Sequence, residues 1–481
     1  MDILQNIIKS LEKEEIKSYK LYSKRTHDFV DRIDIELFNS IKLNPDWSDA
    51  QHFKSIYKTD KADSRYYRLK HKISDDLGVV LSNLNRNEKE IEPLHLLIIA
   101  KLFFKKDQLQ LAQHYLKLSE KKAIAHEDYS VLEVIYELFI QLSLQNIKES
   151  PEHYIKKREE NSKRLALLQD LENNFSLLSY KLKTTQNFSI TKAFKAWMHS
   201  TLEKTQNLPY VKNSATLRFK VFQNNCRLLL LSQDYTSLEA YLTRSKEDFE
   251  EDRLFSKDTH EIKVQLYIYL CNASFVLKKH QQALSYAKQL QQALLEYNKL
   301  WYETYIFYYY NILVNNYSKT DPEKAIETLE EAKKQTVIKE NPGYIGFVLL
   351  NLSITHFDIH NYKTAGKYLV QLYVSEAFKN YDEAFQLKIA VFELCNKIES
   401  GETELAEKLI ALLFKKLSEI KNKETLAVDI AVLHLMQYYL TKESTAWRNM
   451  KEKIVLFLKK FPSSEEQQTI INYHDWLAGK I

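Results

Sequence analysis

A pattern of two short helices recurs along this chain at a nearly constant spacing, and few folds can accommodate that. Its clearest copy is residues 347–372. Leu349, Leu350, Leu352 and Phe357 form the apolar stripe of a first helix, and Tyr362, Ala365, Leu369 and Leu372 form that of a second, at helical spacings. His360 and Asn361 lie between them, where the chain must reverse. With Ala365 as the mark, equivalents stand at Ala240, Ala283, Ala325 and Ala406, with Trp447 in the next slot. The intervals are 43, 42, 40, 41 and 41. Eight residues before the marks come Ser232, Phe275, Tyr317, Phe357, Ile398 and Tyr439, all but the first large and apolar or aromatic. Four residues earlier come Leu228, Cys271, Leu313, Ser353, Leu394 and Leu435. Ala100, Phe104 and Ala112 make an early copy, 128 residues or three periods before Ala240, and Ala196 with Phe188 marks a copy between. A unit that repeats in this way buries its apolar face against its neighbours in an array.

The small–aromatic–alanine frame resembles the tetratricopeptide (TPR) helix-pair repeat, over roughly residues 94–460. The period near 41 exceeds the 34 of that family, and the family's glycine at the first-helix small position is absent from these copies. The resemblance implies an all-α, right-handed solenoid of antiparallel helix pairs. Such arrays offer a long concave surface and usually bind proteins or peptides.

Punctuation of the chain supports this reading. Only 6 Gly and 7 Pro occur in 481 residues, too few for a turn-rich β protein. Ser150-Pro151, Asp321-Pro322 and Asn341-Pro342 each place a capping side chain before a proline at the first helical position. Residues 1–90 predict a helical bundle of four helices, over 2–24, 30–43, 48–58 and 63–85, with Ser48 capping the third. Repeats then fill 91–462, and 463–481 holds a C-terminal capping helix. Within 152–184, Leu165, Leu168, Leu171, Phe175, Leu178 and Leu182 predict one long helix, or a coiled-coil seam.

No motif for phosphate cradling, nucleophilic catalysis or zinc binding occurs, and glycine is too scarce for phosphate-binding loops. No catalytic residue, cofactor or metal is therefore expected. His356 and His360 share metal-ligand spacing without a third ligand, and Cys226, Cys271 and Cys395 read as reduced core residues. No stretch has the length and apolarity of a membrane span, so a cytoplasmic protein is expected.

The net charge of the chain is +5, yet residues 173–233 carry nine bases and one acid. Aromatic residues are interleaved there. Lys181, Lys192, Lys195, Trp197, Lys212, Arg218, Lys220 and Arg227, with the Asn224 amide, are candidates for binding an acidic protein or peptide, then a nucleic-acid backbone, or else form a solvated face over core aromatics. An acidic stretch at 246–261 reads as an exposed loop or as their ion-pair partner. Arg65, Arg68, Lys70 and Lys72 follow a short helix, as in a helix-turn-helix nucleic-acid reader, or as on any bundle with a basic face. The expected function is a non-enzymatic scaffold or adaptor. The alternative is a transcriptional regulator with a DNA-binding N-terminus and a peptide-sensing solenoid.

Overall fold

The computed structural model describes residues 2–26, 32–58, 64–145, 150–184, 208–420, 426–441, 450–461 and 469–480. All regular structure among them is helical, so the all-α expectation holds. The chain divides into two compact units, one within residues 1–177 and 203–221, the other within 178–202 and 222–481.

The first unit begins with a bundle of α1 (Ile3–Ser10), α2 (Lys13–Thr26), α3 (Ile33–Leu43), α4 (Asp49–Tyr57) and α5 (Ser64–Leu84). Tyr19, Leu37, Phe38, Phe53, Tyr66, Ile73 and Leu77 form its core. The helix expected over 2–24 is in fact two. Leu11 is extended, and the Glu12 N–H donates to the Glu15 carboxylate at 2.7 Å, which restarts the helix. Ser48 does open α4, its N–H donating to the Gln51 side chain at 2.7 Å.

Next come α6 (Glu92–Lys105), α7 (Leu109–Ala125), α8 (Tyr129–Gln145), α9 (Pro151–Thr184), α10 (Pro209–Lys212) and α11 (Ala215–Ser232). In α6 and α7, Ala100 and Ala112 are buried at the contact between the helices. The long helix expected over 152–184 is α9. It packs on α8 through the stacked rings of Phe139 and Tyr154, and through Asn161, whose amide donates to the Tyr129 carbonyl at 2.9 Å.

In the second unit the solenoid is explicit. Helix α12 (Tyr235–Glu251) precedes three pairs: α13 (His260–Val276) with α14 (His280–Lys299), α15 (Tyr302–Thr320) with α16 (Pro322–Lys334), and α18 (Pro342–Asp358) with α19 (Tyr362–Val374). A fourth pair joins α21 (Glu383–Glu399) to α22 (Thr403–Glu419). The described residues end with α23 (Ala427–Leu440), α24 (Lys451–Lys460) and α25 (Tyr473–Ala478). Two short helices unmarked by the periodicity, α17 (Thr336–Glu340) and α20 (Glu376–Asn380), follow α16 and α19. Gly346 of α18 packs against α20, where a Cβ would stand 2.6 Å from that of Ala377.

The repeat mark is the fourth residue of each second helix. Ala283, Ala325, Ala365 and Ala406 occupy it, each 0% exposed. At Ala365 the approach is close enough for the Ser353 hydroxyl of the first helix to donate to the Ala365 carbonyl at 2.8 Å. The mark at Ala240 is corrected: Ala240 is exposed, and Leu238 fills the slot. The reason is that Asp234 caps α12, accepting from the Ser237 N–H, and so sets its start at Tyr235. Trp447, Ala196 and Phe188 lie outside the described residues.

Most pairs reverse through one kind of turn. Asp107, Gln233, Lys278, His360 and Gly401 adopt positive φ, and the next N–H bonds back to a carbonyl five residues earlier, as from Asn361 to His356 at 2.8 Å. Glu127 and Arg253 make the same turn between successive pairs. Only one of these seven turns uses glycine, which reconciles many reversals with so few glycines. The acidic stretch 246–261 is accordingly not one loop: α12 runs to Glu251, Arg253 turns the chain, and Phe249 is buried.

Candidate functional site

The basic stretch of 173–233 does not present a continuous wall among the described residues. Lys192, Lys195 and Trp197 lie outside them, and Lys181 is placed only as backbone of α9. Lys212 is exposed at the end of α10, and Arg218 is half-buried. Lys220 pairs with Glu172 at 3.1 Å, which neutralises one of the expected charges. Asn224 is only 3% exposed, and its neighbour Asn225 donates to the Tyr241 hydroxyl at 3.0 Å. Both amides are buried and do not face solvent, unlike the exposed position expected for Asn224. Arg227 is half-buried, near enough to Tyr269 for its charge to oppose the burial that raises that phenol's pKa.

In the bundle, Arg65, Arg68 and Lys72 are exposed on α5. Lys70 is not available to a nucleic acid. It pairs with Asp49 at 2.7 Å and with Asp2, its side chain 13% exposed, so it ties α5 to α4 and to the start of the chain. Burial lowers its pKa.

The histidine pair separates in the fold. His356 stacks on Tyr368, whereas His360 sits in the turn with Nδ1 2.8 Å from the Tyr362 hydroxyl. No group of three or more His, Cys, Asp or Glu among the described residues could hold a metal ion. All three cysteines are free and buried, and burial pushes the Cys271 thiol up to about 12.

A connected polar and aromatic surface does form, on the first helices of the second unit. It starts where α11 meets α13: the Gln223 amide donates to the Gln265 carbonyl at 3.3 Å. The Gln265 amide in turn donates to the Tyr305 hydroxyl of α15 at 3.0 Å, and that hydroxyl donates to Glu261 at 2.5 Å. Burial, then this bond to a carboxylate, raises the Tyr305 pKa, so the phenol stays protonated as a donor. Rings carry the surface onward. Tyr305 meets Tyr308, Tyr308 meets Phe307, and Phe307 stacks on Tyr344 of α18 with centroids 3.9 Å apart. Phe347 closes the run edge-on to Phe307. Tyr308 is 43% exposed and the other rings are half-buried.

Gln265, Tyr305, Tyr308 and Tyr344 were not singled out by charge or motif, and Glu261 only as the end of the acidic stretch. A signal exists in the repeat frame. Fourteen residues before Ala283, Ala325 and Ala365 stand Tyr269, Asn311 and Asn351, and eighteen before the same three stand Gln265, Phe307 and Phe347. Aligning first helices on their own second-helix marks reveals one polar–aromatic face. Such a face can stack on side chains and exchange hydrogen bonds with a backbone, but nothing in it pairs a nucleophile with a base.

No helix among the described residues is long and apolar enough to cross a membrane. No family model matches the chain, and no curated protein matches it. Among solved structures it is similar to one titled "Crystal Structure of the Apo Form of RapI", with 12% identity, coverage of 81% of this chain and 98% of that one, and a TM-score of 0.47.

Proposed function

We propose that this chain is a non-enzymatic adaptor whose helix pairs, read as degenerate TPR-like repeats, bind a protein or peptide along the first-helix face of the second unit. The observation that supports this is the unbroken run of amides and rings from Gln223 to Phe347 across four successive first helices. The repeat spacing brings their equivalent faces side by side, so an extended chain laid across them meets a new helix at each step. Half-exposed aromatic rings offer apolar area at small entropic cost, and the glutamines offer both donor and acceptor. Three free, buried cysteines suit a reducing compartment such as the cytoplasm.

The test is selection of a random peptide library on the folded full chain, followed by affinity measurement of the enriched peptides. Tyr308→Ala and Gln265→Ala variants that retain the wild-type helical spectrum should weaken binding by roughly tenfold each, the scale of one lost aromatic anchor. Failure to enrich any peptide, or equal binding by wild type and both variants, would remove this face from consideration.

A further inference from the structure

The junction from α14 to α15 runs against its own sequence. Helix α14 leaves helical geometry at Glu296, which is extended, and Tyr297, Asn298 and Lys299 are then left-handed, with φ of +51°, +57° and +63°. Every other residue with positive φ among the described residues stands singly. Left-handed backbone costs each residue that carries a Cβ, and three in succession add those costs. Residues 295–301, LEYNKLW, contain no glycine, and only Asn298 is of a type that tolerates this region. The junctions after α16 and α19 use the opposite hand. Gln335 and Ser375 are extended as Glu296 is, and the right-handed helices α17 and α20 follow them. The segment between Glu296 and Trp301 is one residue shorter than α17. A left-handed turn in this slot is therefore imposed from outside it.

A clasp from α13 imposes it. Lys263 Nζ donates to both carboxylate oxygens of Glu296, at 2.7 and 3.0 Å. His260, 1% exposed, donates through Nε2 to the Ala293 carbonyl near the end of α14 at 2.8 Å, and its Nδ1 stands 3.6 Å from the Glu296 carboxylate. The Tyr297 ring meets the His260 ring edge-on, with centroids 4.8 Å apart. Both sides of the clasp lead to the polar–aromatic face. Glu261, which accepts from Tyr305, lies between His260 and Lys263 in the chain. Beyond the turn, the Trp301 ring packs edge-on against that of Tyr305, with centroids 6.2 Å apart.

We propose that residues 296–299 form a two-state hinge that gates the polar–aromatic face, held in its left-handed state by His260 and Lys263. Reversing the hand of this turn changes the direction in which the chain leaves it. Helix α15 is then re-aimed against α13, and the bonds of Gln265 and Glu261 to Tyr305 are broken. The clasped state is the one with the continuous face. That a partner selects this state rests on the function proposed above. By linkage, a partner bound across Gln265 and Tyr305 stabilises the clasp, and loss of the clasp weakens the partner.

Spin labels on Lys288→Cys of α14 and Glu327→Cys of α16, read by pulsed electron resonance on the full chain, test this. Both positions are exposed, whereas Cys226, Cys271 and Cys395 are buried away from the label. The expected wild-type result is one distance. Glu296→Ala should add a second, and so should Asn298→Val, since a β-branched residue resists the left-handed region. Asn298→Gly combined with Glu296→Ala should reduce the second population by ~tenfold, because glycine takes the left-handed region without that cost. Asn298 is exposed and Glu296 half-buried, so each variant should keep the wild-type helical spectrum. A single unchanged distance in both Glu296→Ala and Asn298→Val would overturn the hinge, as would Asn298→Gly and Asn298→Val acting alike. A peptide selected on the wild-type chain should bind Glu296→Ala about tenfold more weakly. Equal binding in the face of altered distances would overturn the gating. Failure to select any peptide would remove the proposed adaptor function, and the distances would still decide the hinge.

Discussion

Asp429 should make the C-terminal end of the molecule less stable as pH rises through the acid range. The carboxyl lies on α23, 1% exposed. One oxygen accepts from the Tyr473 hydroxyl of α25 at 3.0 Å, and the other is buried without a hydrogen-bond partner. Burial dominates and pushes the pKa up to about 6 from 3.8, against the opposing effects of Tyr473 and Lys388. A raised carboxyl pKa means that the folded state holds the proton more tightly than the unfolded state. The stabilisation is complete below pH 3.8, declines as the unfolded chain ionises, and is gone above about 6. A rise of this size corresponds to about 3 kcal/mol. Asp429→Asn removes this titration while retaining an acceptor for Tyr473. Opening free energies of residues 473–478, measured by hydrogen exchange with intrinsic rates corrected, should then differ between wild type and variant in a pH-dependent way. The wild type should lose about 3 kcal/mol relative to the variant between pH values below and above this window. A difference that is flat with pH would refute the reasoning. A difference of opposite sign would show that the Lys388 charge outweighs burial, with Asp429 ionised well below its ordinary range.

Two further predictions concern the repeat itself. Ala365→Leu should destabilise by roughly 1–3 kcal/mol in chemical unfolding, because it overpacks a closed contact between helices, whereas Ala240→Leu on an exposed face should change stability by less than about 0.5 kcal/mol. Equal effects would contradict the corrected register. At the turns, Lys278→Gly should stabilise by about 0.5–1 kcal/mol by relieving a left-handed backbone (φ +60°), and Gly401→Ala (φ +78°) should destabilise by a similar amount. Thermal melts that move both variants the same way would refute this.

Much of the architecture was legible in the chain because it is written in local periodicity. Apolar stripes at spacings of three and four mark helices, and alanine at a constant interval marks where two helices meet. Asp321, Asn341 and the prolines after them stop and start helices through contacts only two or three residues long. The candidate surface was much less legible. Glu261, Gln265 and Tyr305 come together from helices about 40 residues apart. Lys220 looked like part of a basic wall until Glu172, 48 positions away, was seen to neutralise it.

The sequence by itself therefore determined that the chain is helical, that it repeats, and which face of most of the paired helices turns inward, since these follow from side chains three or four positions apart. Only the tertiary structure decided which outward faces become neighbours, that Leu238 and not Ala240 fills the repeat slot, and that Asn224 is core while Tyr308 is surface. The physical reason is that those outcomes depend on how each repeat is set against the next. A shift of two residues at one cap is enough to turn a side chain from the contact to the solvent.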